Sequence, residues 1–287
     1  MKLNAYILAA DPAWIEASVL SYYDVVDRIV VSYDETSISW TGAPIDVEQC
    51  LQRLRAIDSA GKFDYRPGHF ARQAFFDRPM ENDTHQRQVA LDQASEGAEW
   101  VLQFDTDEVL PNSRRLLSQL EASCLDGPPA IEWPMKVLFR SLGGGRYLQV
   151  VGRDGRGHYE YPGPIAVRPG VRLKDARRTD GAFMRLVVVG DDQSLQVRRS
   201  PSPLETRSEC LSDADAVLHN SWGRSSRSVC TKIRSWGHHN GLRSWWFYYR
   251  YWLPSPWIWR AMKDFHPFHR PLWPALEPVQ VGDAGVE

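Results

Sequence analysis

A chain of 287 residues accommodates one large α/β domain, or one domain with a sizeable appendage. Apolar residues make up 43% and charged residues 24%, ordinary globular usage that excludes disordered and fibrous classes. A formal charge of −2 gives no overall case for nucleic-acid binding, so no nucleic-acid partner is expected.

Four cysteines, Cys50, Cys124, Cys210 and Cys230, show neither CxxC spacing nor a pairing pattern, so free thiols in a reducing compartment are expected. No stretch reaches the roughly 18 apolar residues of a spanning helix. The first apolar run meets Asp11-Pro12 too early for a signal peptide. A cytoplasmic location is the expectation.

In chain order, Lys2 to Ala10 reads as a buried strand ended by a turn at Asp11-Pro12. Residues 13–24 place Trp14, Ala17, Val19, Leu20 and Tyr23 at helical spacing. The β-branched run Arg28 to Tyr33 is a second buried strand that stops at Asp34. This βαβ opening puts ligands at the carboxyl ends of the strands. Val47 to Ala56 reads as a helix, while residues 63–82 give no clear pattern. A helix over His85–Gly97, with Val89, Ala90 and Ala94 inward, precedes the strand Trp100 to Phe104.

Beyond it the pattern predicts a helix at 112–123 and strands at Ile131–Phe139, Met184–Gly190 and Ala216–His219. Gly/Pro-rich loops around short strands are expected over Gly143–Gly170, and a polar linker over 200–212. The expected fold is a three-layer α/β/α domain with a mixed central sheet over residues 1–220, followed by a C-terminal extension over 221–287. That extension has its own composition. Eight of the twelve tryptophans lie between Trp222 and Trp273, with nine Lys/Arg and a single acid, Asp264. The acidic body therefore carries a basic, aromatic tail.

The strongest local signal is VLQFDTDEVL. Asp105 and Asp107, two apart at a strand end, point to the same side. Two carboxylates converging there repel unless a cation sits between them, and hard divalent ions take oxygen ligands. A bound Mg²⁺ or Mn²⁺ could hold a diphosphate and stabilise the charge that grows as it leaves. A solvated acidic strand end is the plain alternative.

With YILAAD, the strand ending in Asp34, the helix bearing Arg87 and Ala90-Leu91, and VLHNSWGRS, this motif resembles the bacterial DxDE-containing branch of the family-2-type glycosyltransferases, which have the GT-A (Rossmann-like) fold. The resemblance spans roughly residues 3–240. It implies a nucleoside-diphosphate-sugar donor, UDP- or GDP-linked, and a cell-envelope glycan or lipid-linked acceptor, with Mn²⁺ or Mg²⁺ as cofactor. On the matched positions, Asp34 would contact the nucleoside and Arg87 the diphosphate. Asp105 would touch ribose and metal, Asp107 would be the main metal ligand, and His219 a further metal or diphosphate ligand. The chain departs from the family in having Gln88, where an asparagine commonly follows the arginine. Family-2 enzymes usually invert configuration, with a carboxylate as base. Glu160, in the aromatic, glycine-rich GHYEYPGP, is the chosen candidate over Asp180, Asp191 and Asp192.

The same acidic run also fits a haloacid-dehalogenase-type phosphatase. There Asp105 would accept phosphate covalently and Asp107 would be acid/base, with Ser141, Lys174 and the pair Asp191-Asp192 recruited around them. A domain that binds nucleotide or polysaccharide without turnover is a third possibility. For the tail, packing of its tryptophans on the α/β domain competes with a carbohydrate platform and with contact to the inner membrane face.

Overall fold

The computed structural model describes residues 1–123, 127–235 and 241–281. Cys124, Trp236 and the last six residues of the tail lie outside the described residues. Cys50, Cys210 and Cys230 are free thiols.

The N-terminal half alternates strand and helix: β1 (Leu3–Leu8), α1 (Ile15–Leu20), β2 (Arg28–Asp34), α2 (Val47–Ile57), β3 (Phe63–Gly68), α3 (Pro79–Ala94) and β4 (Trp100–Gln103). Then follow β5 (Glu108–Val109), α4 (Ser113–Ala122), β6 (Ala130–Glu132), β7 (Met135–Gly143), β8 (Arg146–Val151) and β9 (Pro164–Val167). Next come β10 (Phe183–Val188), α5 (Leu195–Arg198), β11 (Glu205–Leu211) and β12 (Val217–His219). The tail contributes α6 (Ser226–Ser235), α7 (Gly241–Phe247), a π-helical stretch (Tyr248–Trp252), α8 (Ser255–Ile258) and β13 (Ala275–Gln280).

Eight strands form the main sheet in the order β11-β10-β6-β9-β4-β1-β2-β3. It is mixed, because β9 runs antiparallel to both β4 and β6 while the other pairs are parallel. Both faces of β1, β2 and β4 are covered, which is why their sequences are continuous apolar runs rather than alternating ones. On one face Ile7, Val31 and Leu102 join Ile15, Leu51 and Leu116 of α1, α2 and α4. On the other, Tyr6, Val30 and Val101 meet Ala90, Leu91 and Ala94 of α3. This is the expected α/β fold: three layers around a mixed sheet.

β1 lies between β2 and β4. The chain order reverses at this point, and strands that diverge there open a crevice beyond their carboxyl ends.

A second, five-stranded sheet runs β13-β8-β7-β12-β5. β13 pairs antiparallel with β8 along its length, Ala275 opposite Val151 and Gln280 opposite Arg146. Above this sheet Trp222, Phe247, Trp252, Phe265 and Trp273 close a second core on Val137, Phe139, Leu148 and Val150. Part of the tail's tryptophan content is thus packing material.

Three elements differ from the sequence expectations. The polar linker expected at 200–212 contains β11, an edge strand. Its polar residues are used laterally: Glu205 accepts from Arg185 and Arg207, and Arg185 also meets Glu132 at 2.8 Å. The strand expected over 131–139 is two strands, separated at Trp133-Pro134, because proline cannot donate to a ladder. Helix α3 begins at Pro79, six residues before the expected start. Its first turns bury Asn82, Asp83, Gln86 and Arg87, so no apolar stripe marks them.

Candidate functional site

The crevice at the strand ends is a cleft of about 1170 Å³, large enough for a nucleotide-sized ligand. Leu8 to Ala13 beyond β1, Asp34 beyond β2, Asp83 and Arg87 of α3, and Asp105 to Asp107 beyond β4 line it. Glu160, His219, Trp222, Lys232 and Trp273 close the other side. All six sequence-predicted site residues, Asp34, Arg87, Asp105, Asp107, Glu160 and His219, therefore face one cleft.

The turn after β4 is fixed by Glu108, which is fully buried. Its carboxylate takes both terminal nitrogens of Arg177, at 2.7 and 2.5 Å, and the backbone N–H of Asp105 at 3.0 Å. Arg177 also donates to the Gln103 carbonyl at 3.2 Å. The last acid of the DTDE run is thus a clamp, and it aims the two acids before it. The segment supplying Arg177 passes through Asp175 and Ala176, both at positive φ (59° and 64°), a conformation that side chains disfavour. The Ala176 N–H is held by the Thr84 hydroxyl at 2.8 Å.

Asp105 meets Arg87 at 2.7 Å, and Arg87 is braced from behind by Asp83 at 2.6 Å. Burial opposes ionisation of Asp105, but the neighbouring Arg87 and Arg177 guanidiniums outweigh it and hold the carboxyl well below its usual range. Arg87 is raised above an already high value, because Asp105 and Asp83 outweigh its burial.

Asp107 has a different environment. Its Oδ2 accepts from Arg224 at 2.5 Å and from Lys232 at 3.1 Å. Arg224 also pairs with Asp11, and Lys232 donates to the Ser221 carbonyl at 2.9 Å. Burial pulls Arg224 down to about 10, and it lowers Lys232 against the attraction of Asp107. His219 Nε2 stands 3.8 Å from Asp107 Oδ1.

Arg224 and Lys232 were not assigned by the sequence, although Arg224 sits in VLHNSWGRS and both belong to the basic tail. Arg224 lies in the turn just before α6 and Lys232 within it, so the fold, not a helical repeat, brings both to Asp107.

Asp34 has little acceptor capacity left. Its Oδ1 takes the Thr36 N–H and hydroxyl, and its Oδ2 takes the N–H groups of Phe70 and Ala71 at 2.7 and 2.9 Å. These bonds outweigh burial and lower its pKa. In this arrangement Asp34 shapes the cleft wall. Glu160 bridges through its backbone to Met135 and accepts at Oε1 from the Trp273 indole N–H. Burial raises its carboxyl, against the opposing pull of His219 and Trp273.

The arrangement does not fit a resident divalent ion as it stands. Asp105 Oδ1 is bonded to Arg87, Asp107 Oδ2 carries two cations, and among the described residues no three His, Cys, Asp or Glu side chains form a ligand group. An ion would have to enter against three positive side chains. Nor are the phosphatase partners assembled. Ser141, Lys174, Asp191 and Asp192 do not line the cleft, and Asp192 is exposed beside Arg156, 3.1 Å away.

No protein-family model matches the chain, and no curated protein matches it. Among solved structures, it is similar to 4-diphosphocytidyl-2C-methyl-D-erythritol synthase from Anaerococcus prevotii, at 16% identity and a TM-score of 0.34, covering 58% of this chain and 71% of that one. It is also similar to a mannose-1-phosphate geranyltransferase from Thermus thermophilus, at 12% identity and a TM-score of 0.26, covering 61% of this chain and 52% of that one. Likenesses this slight do not carry an activity across.

Proposed function

We propose that the cleft binds a nucleoside-diphosphate-linked sugar, UDP- or GDP-linked, and transfers the sugar to a hydroxyl of a glycan or lipid-linked acceptor. The observation that carries this reading is a cluster of cations, buried Arg87 and Arg224 with half-buried Lys232, gathered by Asp105 and Asp107 at the switch point of the sheet. Guanidinium and ammonium groups held in place before a ligand arrives suit a leaving diphosphate, whose charge grows as the sugar departs. The loops that Asp34 ties together form the nucleoside end.

In the transfer, the acceptor hydroxyl oxygen bonds to the sugar's anomeric carbon as the bond from that carbon to the diphosphate oxygen breaks. The hydroxyl proton passes to the Glu160 carboxylate, and the electron pair leaves with the nucleoside diphosphate. Attack from the face opposite the leaving group inverts the anomeric centre. Glu160 suits the role of base by its place in the cleft wall and by a carboxyl that burial has raised. A Mn²⁺ or Mg²⁺ ion joins this reading only if Arg224 and Lys232 release Asp107.

Calorimetric titration of UDP and of GDP into the full chain tests the reading. Saturable binding of one of them at micromolar concentration is expected. Absence of binding by both, with and without added Mn²⁺, would overturn it.

A further inference from the structure

Nine large hydrophobic side chains are exposed among the described residues, and five of them, Leu242, Trp246, Tyr249, Leu253 and Trp257, fall within sixteen positions of the tail. Their intervals of four, three, four and four residues put the first three on a single face of α7 and the π-helical stretch, with Leu253 continuing the spacing at its C-cap and Trp257 into α8. Phe247, Tyr248 and Trp252, at the intervening positions, are buried in the second core. The segment is therefore amphipathic in an unusual sense: both faces are apolar, one spent on packing and one turned to solvent. Leu242 is 88% exposed and Trp257 80%, more than packing or chance scatter of surface residues accounts for.

The charge around this stripe has one sign. Between residues 241 and 263 there are four basic side chains, Arg243, Arg250, Arg260 and Lys263, all exposed, and no acid. Pairing of two such faces about a two-fold axis would set like charges against each other, which argues against a second copy of the chain as occupant. Tryptophan and tyrosine settle at the headgroup level of a bilayer, and arginine and lysine reach from there to anionic headgroups.

We infer that this stripe docks the protein on the surface of an anionic phospholipid bilayer, with Leu242, Trp246, Tyr249, Leu253 and Trp257 in the interface and the four basic residues against the headgroups. No helix among the described residues is long and apolar enough to cross a membrane, so the contact is interfacial. The docking face adjoins the cleft. Arg243, next to Leu242, stacks over Phe268 at 5.4 Å, and Phe268 lines the cleft with His266 and Trp273. A cleft mouth beside a lipid surface favours an acceptor carried on a lipid. That last consequence rests on the transfer reading; the docking itself does not.

The test is sedimentation of the full chain with phosphatidylcholine vesicles, and with vesicles containing about a third phosphatidylglycerol. Pelleting with the anionic vesicles, weakened by salt and accompanied by a blue shift of tryptophan emission, is expected. The double variant Trp246→Ser/Trp257→Ser should partition at least about tenfold less while keeping its circular dichroism and its UDP or GDP affinity. Wild-type protein left in the supernatant, or a double variant that pellets equally, overturns the inference. So does a dimer, seen by light scattering, that the double variant abolishes without any vesicle binding. Vesicle binding without nucleotide binding would leave the docking standing and remove the transfer reading alone.

Discussion

Arg224 donates to Asp107 at 2.5 Å across 117 positions of sequence, joining the tail to the acidic motif of the main sheet. Lys232 reaches the same oxygen from α6, further along the tail. Each carboxylate of the motif thus has a protein cation on it before any ligand arrives. An incoming diphosphate would share these cations with Asp105 and Asp107, and their positive charge would do what a divalent ion otherwise does. Nucleoside diphosphate binding should consequently survive chelation with EDTA. In Arg224→Gln it should weaken about ten- to a hundredfold, the loss of one charge-assisted contact of about 1.5–3 kcal/mol. Calorimetry with and without EDTA checks both. Binding that appears only with Mn²⁺ would instead assign Asp105 and Asp107 to the metal.

Glu160 gives a prediction with a sign. Burial raises its carboxyl above the ordinary glutamate value of about 4.3, and a base must be ionised to act. Transfer should therefore fall as pH drops through that raised value, giving an acid limb in kcat/KM displaced upward. The Trp273 indole bond stabilises the ionised form. Trp273→Phe should move the limb to still higher pH. Glu160→Gln should lower kcat by about 10²–10⁴-fold while leaving nucleotide affinity unchanged. A flat pH profile in wild type, or full turnover in Glu160→Gln, would remove Glu160 from the chemistry.

Much of the frame was legible because it obeys simple periodicity. β1, β2 and β4 are covered on both faces and read as unbroken apolar runs. The acidic motif stood out because such a run delivers it. Elsewhere the periodic signal is absent for physical reasons. β11 is a polar edge strand held by lateral ion pairs, and the first half of α3 turns amides, Asp83 and Arg87 inward toward the cleft. A helix whose inner face is polar carries no apolar stripe to find. Arg224 and Lys232 were hidden differently: only the folded chain brings them to an aspartate more than a hundred residues away.

Glu108 separates folding from chemistry within the motif itself. It offers nothing to a ligand, since both oxygens are engaged by Arg177 and one also holds the Asp105 amide. Glu108→Gln leaves the Arg177 guanidinium buried without its counter-charge, which should cost about 3–5 kcal/mol in urea unfolding. Removing both charges in Glu108→Gln/Arg177→Met should recover part of that stability, because no uncompensated buried charge remains, although the Gln amide stays buried. Nucleotide affinity should not recover with it. The methionine no longer donates to Gln103, and the weaker amide acceptor at position 108 no longer aims Asp105 at Arg87. Recovery of stability without recovery of binding would establish the clamp as the part that positions the acids. Recovery of both would mean that the turn after β4 holds its shape without the pair.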